Sequence, residues 1–262
     1  MKIVVCIKQV PMASSVNIDP ITKRLLRENT AAVLNPFDYY AIEEAMRLKE
    51  AYGTEVIALT MGPSKAENIL REALALGVDR GILLSDRLFG GSDTWATSYI
   101  ISLALKKVMP FDLVLCGRQA VDGDTSQVPA GIAAHLEMAQ AYGVAKIETI
   151  NYQKLTLKRM GTSGYERCEI TTPAVLSTSK ELNVPRVPRL KSWLKAIEQK
   201  IEIFDAKKLK AKNEFIGLNG SPTRVVKTFS PPARDAETQV WTGSPDALAE
   251  QLFNQLRNVA QI

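Results

Sequence analysis

An alternation of apolar and amphipathic segments runs through the first 140 residues. Short apolar runs at residues 2–7, 55–61, 81–85 and 112–116 are separated by stretches with helical spacing. The runs are rich in Val, Ile and Leu and show little period-2 patterning, as expected of parallel strands buried on both faces. Strand, helix, strand in this order predicts an α/β fold with a doubly wound, mostly parallel sheet and right-handed crossovers.

The helix starts are readable. Asn35-Pro36-Phe37-Asp38 offers an N-cap, a proline for the first turn and an acid at the positive dipole end; Ile42, Ala45, Met46 and Lys49 follow at helical spacing, and Gly53 ends the helix. Ser64-Lys65-Ala66-Glu67 has the form of a capping box ahead of residues 69–76 and Gly77. Ser92 or Asp93 can cap a helix running to Val108.

After Tyr142 the texture changes. Residues 144–152, 154–160, 165–171 and 174–178 read as strands joined by Gly-containing turns, a small antiparallel appendage. From Asp205 to Gly243 the chain is polar and rich in Pro, Gly and Lys, which reads as an arm crossing a partner's surface. Ser244-Pro245-Asp246 then opens a last helix with Leu248, Leu252, Leu256 and Val259 on one stripe. The expected division is a domain over residues 1–205, with a basic loop near 184–200, and an arm with its helix over 206–262.

Composition excludes several classes. Hydrophobic residues make up 46% and charged residues 23% of 262, an ordinary soluble balance rather than a disordered or collagenous one. Three unpatterned cysteines (Cys6, Cys116, Cys168), one histidine (His135) and no Cys-x-x-Cys argue against a disulfide framework, a zinc site or a Cys–His nucleophile. No apolar stretch approaches the roughly 18 residues of a membrane span. Lys8 and Gln9 cut the first run too short for a signal sequence, so a cytoplasmic chain is expected. Of the net charge of +5, residues 186–212 contribute nine Lys/Arg against three acids. That block holds Trp193 at its centre but no series of spaced aromatics, so no nucleic-acid partner is expected.

Chemistry concentrates in Gly117-Arg118-Gln119-Ala120-Val121-Asp122-Gly123-Asp124-Thr125-Ser126-Gln127-Val128, which follows a strand end and leads into a helix. In open parallel sheets, ligands bind beyond the carboxyl ends of strands where strand order reverses. Amides at the helix start, with the Thr125 and Ser126 hydroxyls, suit a nucleotide phosphate; Arg118 adds charge, and Gln127 can bond a base or ribose. On residues alone, a plain turn with an N-cap remains the competing reading. Neither a Walker loop nor a Gly-x-Gly-x-x-Gly fingerprint is present.

Over nearly its whole length the sequence resembles the beta subunit of electron-transfer flavoprotein. The likeness is carried by Lys2-Ile3-Val4-Val5-Cys6-Ile7-Lys8-Gln9-Val10-Pro11, Asn35-Pro36-Phe37-Asp38, Thr60-Met61-Gly62-Pro63, residues 116–128, Thr172-Pro173-Ala174-Val175 and the basic stretch after Pro185. It implies an adenine nucleotide alpha-hydrolase-like domain and an arm around an alpha subunit that carries FAD. The implied nucleotide pocket is lined by Cys6 (through its backbone), Ile7, Lys8, Asn35, Asp38, Thr60 and Met61, and by the loop from Gly117 to Val128.

Within the family, ordinary carriers hold AMP there, whereas electron-bifurcating members hold a second FAD. Asp122-Gly123-Asp124-Thr125-Ser126-Gln127 is similar to the bifurcating form. Thr94 and Thr97, three apart behind Gly90-Gly91, supply further hydroxyls for a diphosphate. The resemblance then implies hydride from NADH, one electron to an acyl-CoA dehydrogenase, reductase or similar flavoenzyme, and the other to ferredoxin or flavodoxin. Leu190, flanked by Lys191 and Lys195, falls where the family docks its dehydrogenase partner. The alternatives are a non-bifurcating carrier subunit holding structural AMP, and a free-standing ATP-binding protein of similar fold, against which the polar arm argues.

Overall fold

A computed structural model describes residues 1–12, 32–151, 153–226 and 238–260 as two compact units, Met1–Arg224 and Val225–Ile262. In the first unit the chain forms β1 (Lys2–Cys6), β2 (Gln9–Pro11), β3 (Ala32–Leu34), α1 (Asp38–Tyr52), β4 (Glu55–Met61), α2 (Glu67–Leu76), β5 (Arg80–Leu84) and α3 (Thr94–Val108). There follow β6 (Leu113–Gly117), α4 (Val128–Leu136), β7 (Ala139–Ile150), β8 (Lys154–Gly161), β9 (Gly164–Thr171) and β10 (Ala174–Thr178). Then come α5 (Leu190–Glu198), β11 (Glu202–Phe204), α6 (Ala206–Leu209) and α7 (Gly217–Gly220), with α8 (Pro245–Ala260) in the second unit.

One nine-stranded sheet, ordered β11-β5-β4-β1-β6-β10-β7-β8-β9, organises the first unit, and β2 pairs with β3 apart from it. Parallel pairing runs from β11 through to the first half of β7. The four apolar runs form β1, β4, β5 and β6, and each is almost wholly buried. Alternation sends Ile3, Val5, Val56 and Ala58 into a core with α1 and α2, and Val4, Ile57, Leu59 and Val114 into a second core with α3 and α4. Each fully buried Val, Leu or Ile among them contributes about 1.5–3 kcal/mol relative to exposure, so two cores clamp the sheet from both sides.

The antiparallel appendage is smaller than the sequence predicts. β7, β8 and β9 pair antiparallel, but β10 lies between β6 and β7 and runs parallel to both. Its five residues are all buried, the same two-sided burial that marks the other parallel strands. The predicted strand end at Tyr152 lies outside the described residues. Residues 206–221, read from composition as the start of the arm, return to the domain: Ala206, Leu209 and Ile216 join the core against α3.

Caps also differ in detail. Asp93 caps α3 by accepting from the Trp95 and Ala96 amides at 3.0 and 3.1 Å. Neither Asn35 nor Ser64 caps a helix; α1 starts behind Phe37, and a 3-10 turn at Ser64–Ala66 precedes α2. Left-handed Gly53 and Gly77 end α1 and α2, as their positions predict. In the second unit, α8 begins at Pro245 and carries exposed Leu252, Phe253 and Leu256; the Val259 side chain and residues 227–237 of the arm lie outside the described residues.

The topology sets the site. From β1 the chain winds outward through β4 and β5, then returns to β6 on the other side of β1. The reversal therefore falls between the carboxyl ends of β1 and β6, where α/β ligands collect.

Candidate nucleotide-binding site

A cavity of about 340 Å³ opens at that reversal, within the range of small-molecule sites. Cys6, Ile7 and Lys8 enter from the end of β1, and Met61 from the end of β4. Asn35 and Asp38 come from the start of α1, and Thr94 and Thr97 from α3. The loop after β6 supplies Gly117, Arg118, Gln119, Ala120, Gly123, Thr125, Ser126 and Gln127, and α4 begins at Val128.

Three predicted residues stand apart from this wall. Thr60 is buried, but strand alternation turns its side chain to the α1–α2 face, away from Met61 and Leu59. Asp122 reaches back to Lys8, whose Nζ donates to both carboxylate oxygens at 2.7 and 2.8 Å. Asp124 accepts from the Gln119 side-chain amide within the loop. Sequence reading missed Ser92, Asp93, Ile101, Cys116 and Pro129, which also line the cavity. Asp93 and Ser92 carried a signal only as candidate caps, and Cys116 only as the end of an apolar run and the first residue of the stretch that carries the family resemblance.

The loop is held from below by one buried node. Asn35 Nδ2 donates to Asp38 Oδ1 at 2.9 Å and to the Gln119 carbonyl at 2.8 Å, while its Oδ1 accepts from the Val121 amide at 3.3 Å. This is why Asn35 does not cap α1: its side chain is taken by the loop. Asp38 Oδ2 accepts the Lys8 amide at 2.7 Å. Burial pushes the Asp38 carboxyl up to about 7, against the Asn35 bond, the Lys8 amide and charge, and the Gly117 amide, all of which pull it down. Asp124 and Ser126 take left-handed backbone at φ 52° and 58°, an arrangement that turns the loop sharply towards α4.

Two helix starts meet the cavity with different electrostatics. At α3, Asp93 occupies the amides; burial pushes its carboxyl up, but the N–H bonds from Ala96 and Trp95 and the Thr223 bonds outweigh it and hold it below the usual range. An anion is therefore met on this side by hydroxyls rather than by amides. At α4, Gln127 makes no side-chain cap and Pro129 has no N–H, so of the first turn the Val128 and Ala130 amides are the ones left to a ligand. Thr94 Oγ1 donates to Gln127 Oε1 at 3.0 Å, so the two sides touch across the site. Arg118, steered by the Tyr142 hydroxyl at 3.2 Å, brings a cation that forms no ion pair among the described residues. Among these residues no three His, Cys, Asp or Glu side chains converge to hold a metal ion.

Away from the cavity, α5 presents Leu190, 77% exposed, with Leu194 and Ile197 along one ridge and with exposed Val184 and Val187 before it. Lys191 and Lys195 are exposed beside them. The helix is anchored underneath by buried Ala196, and Arg71 holds the Ala196 and Ile197 carbonyls at 2.8 and 2.7 Å.

The doubly wound sheet, with a cavity at its strand-order reversal, defines an open α/β protein whose cavity lies where such folds bind their ligands. Residues 22–209 match the electron transfer flavoprotein domain. The chain is 44% identical to the electron transfer flavoprotein subunit beta of Thermoanaerobacterium thermosaccharolyticum over 98% of both chains. It is also 44% identical to the caffeyl-CoA reductase–Etf complex subunit CarD of Acetobacterium woodii, again over 98% of both. The acryloyl-CoA reductase electron transfer subunit gamma of Anaerotignum propionicum is 40% identical over 98% of each. The chain belongs to the electron transfer flavoprotein family, as a beta subunit. An alpha-subunit partner follows from that membership, and among the described residues no helix is long and apolar enough to cross a membrane.

Proposed function

We propose that the cavity would hold the adenylate and diphosphate part of FAD, and that the complex takes hydride from NADH and bifurcates its electrons. The observation that carries this reading is the pairing of two hydroxyl sets on one cavity, Thr94 and Thr97 from α3 and Thr125 and Ser126 from the loop; Thr94 and Ser126, which donate to the Gln127 and Gln119 side chains, would turn from them to the phosphates. A single phosphate needs one set; a diphosphate uses both. The α4 amides and Arg118 then balance its charge, while Asp93 keeps the α3 amides from competing.

FAD, when bound, would supply hydride acceptance and one-electron transfer, which no side-chain constellation here provides. The chain's own residues bind and orient. Asn35 and Asp38 fix the loop, Gln127 and Thr94 close on the nucleotide, and Lys8 with Asp122 ties the loop to β1. The exposed ridge of α5 between Lys191 and Lys195 suits brief docking on a flavoenzyme, an apolar anchor with mobile charges around it. Relatives that serve caffeyl-CoA and acryloyl-CoA reductases support an acyl-CoA reductase or dehydrogenase as that partner. The arm and α8, with Leu252, Phe253 and Leu256 exposed, would pack on the alpha subunit with its own FAD. A ferredoxin or flavodoxin completes the scheme, which would run in the cytoplasm.

Anaerobic titration of the alpha–beta complex with NADH tests this. Bleaching of flavin absorbance by NADH is expected. A complex that NADH does not reduce, although dithionite does, would favour the second reading, a carrier with structural AMP.

A further inference from the structure

We propose that Cys6 and Cys116 form a dithiol site in the floor of the nucleotide cavity, which a small-molecule disulfide closes to an intramolecular bridge when no nucleotide is bound. The inference rests on reading the cavity as a nucleotide site.

Register brings the pair together: Cys6 of β1 is the direct partner of Cys116 of β6. Both side chains point to the α3–α4 face, both line the cavity, and both are free thiols. Their neighbours along the same row are Leu59 on β4 and Ser177 on β10, each fully buried. The sheet is thus closed on either side, and the cavity is the route by which a reagent reaches them. Cys6 is 9% and Cys116 5% exposed, so a seated nucleotide covers what access there is.

Neighbouring strands lie about 4.8 Å apart, within the Cα separations of roughly 4.4–6.8 Å that a disulfide spans. Side chains in direct parallel register stand farther apart at Cβ than the roughly 3.8 Å an unstrained bridge prefers. Both cysteines sit at strand ends, where small backbone shifts can close that gap. The resulting bridge is strained, hence readily reduced, which suits a reversible mark rather than a structural staple.

The chemistry is ordinary exchange. The Cys116 thiolate attacks one sulfur of R–S–S–R, giving a mixed disulfide and releasing RS⁻. The Cys6 thiolate then attacks the Cys116 sulfur, forming the bridge and releasing a second RS⁻. Two protein thiols give up two electrons and two protons, and the reagent leaves as two thiols. The Cys6 contact first, and burial second, push the Cys116 thiol well up, so exchange is slow at neutral pH and quickens as pH rises. Lys8 and the loop at Gly117 follow the two cysteines within two residues, so the bridge pulls on the cavity wall and weakens nucleotide binding.

The test uses the alpha–beta complex carrying Cys168→Ser, stripped of nucleotide, with dithiodipyridine as oxidant and ADP binding measured first by calorimetry. Peptide mapping is expected to find the Cys6–Cys116 bridge, formed faster at higher pH, with ADP slowing it at least about tenfold. Bridged complex should bind ADP about tenfold more weakly until dithiothreitol restores it. Cys6→Ser and Cys116→Ser should each stop at a mixed disulfide on the remaining cysteine. Wild-type cysteines that end as separate mixed disulfides, or that react equally fast with ADP bound, would overturn the proposal. A complex that takes up one FAD per pair, at the alpha subunit, and no second nucleotide would overturn the cofactor reading itself, and the calorimetric stoichiometry tells the two failures apart.

Discussion

The Asp38 carboxylate fills the space that any side chain at position 117 would need: a Cβ on Gly117 would lie 2.2 Å from Asp38 Oδ1 and 2.9 Å from the Phe37 carbonyl carbon. The first turn of α1 is thereby pressed against the end of β6. The nucleotide loop starts from this contact, and Asn35 continues it by holding Gln119 and Val121.

Gly117→Ala should therefore cost about 1–3 kcal/mol, the range for forced overpacking, and abolish nucleotide retention. Gly123→Ala is the matched control, because a Cβ there meets nothing within 4 Å. Its stability should change by no more than about 0.5 kcal/mol. Denaturant unfolding of the two variants checks both values.

Asp38 predicts a pH dependence. Its carboxyl titrates near 7 in the folded chain against 3.8 as its ordinary value, so the folded state binds the proton more tightly. Its contribution to stability is fully present below pH 3.8, falls by about 1.4 kcal/mol per pH unit as pH rises towards 7, and is lost above it. The difference in unfolding free energy between the native chain and Asp38→Asn should show that slope between pH 4 and 7 and flatten beyond. A flat difference throughout would show that Asp38 titrates normally.

Among the described residues no carboxylate pairs with Arg118 on the cavity wall. Arg118→Gln should weaken FAD binding by roughly ten- to a hundredfold, the loss of one charge-assisted hydrogen bond, with little change in thermal stability. Tyr142→Phe removes the hydroxyl that steers it and should cause a smaller loss. Equilibrium dialysis against FAD compares them.

On α5, Leu190→Ser and Leu194→Ser remove exposed apolar surface without touching the core. Flavin content and NADH reduction should stay unchanged, while electron delivery to the acyl-CoA partner falls at least about tenfold. Steady-state assays with and without that partner separate the two.

The parallel strands were legible because burial on both faces removes alternation, and β1, β4, β5 and β6 appear within a residue of their apolar runs. β10 was misplaced for a physical reason: its buried run follows an antiparallel hairpin, and periodicity cannot tell which edge it joins. Asn35 and Ser64 have the composition of caps, yet tertiary contacts claim Asn35, and a 3-10 turn displaces Ser64. Most of the cavity wall could be read from one loop. Ile101 and Pro129 could not, since nothing in their apolar side chains marks a site and only the fold brings them to the cavity. Thr60 faces away through a one-residue alternation that the motif alone does not reveal.

The most direct measurement is the nucleotide content of the co-purified alpha–beta complex, released by denaturation and separated by chromatography. Two FAD and no AMP per pair are expected if the Thr94–Thr97 and Thr125–Ser126 hydroxyls grip a diphosphate. One FAD with one AMP would contradict that account and leave the cavity a structural site.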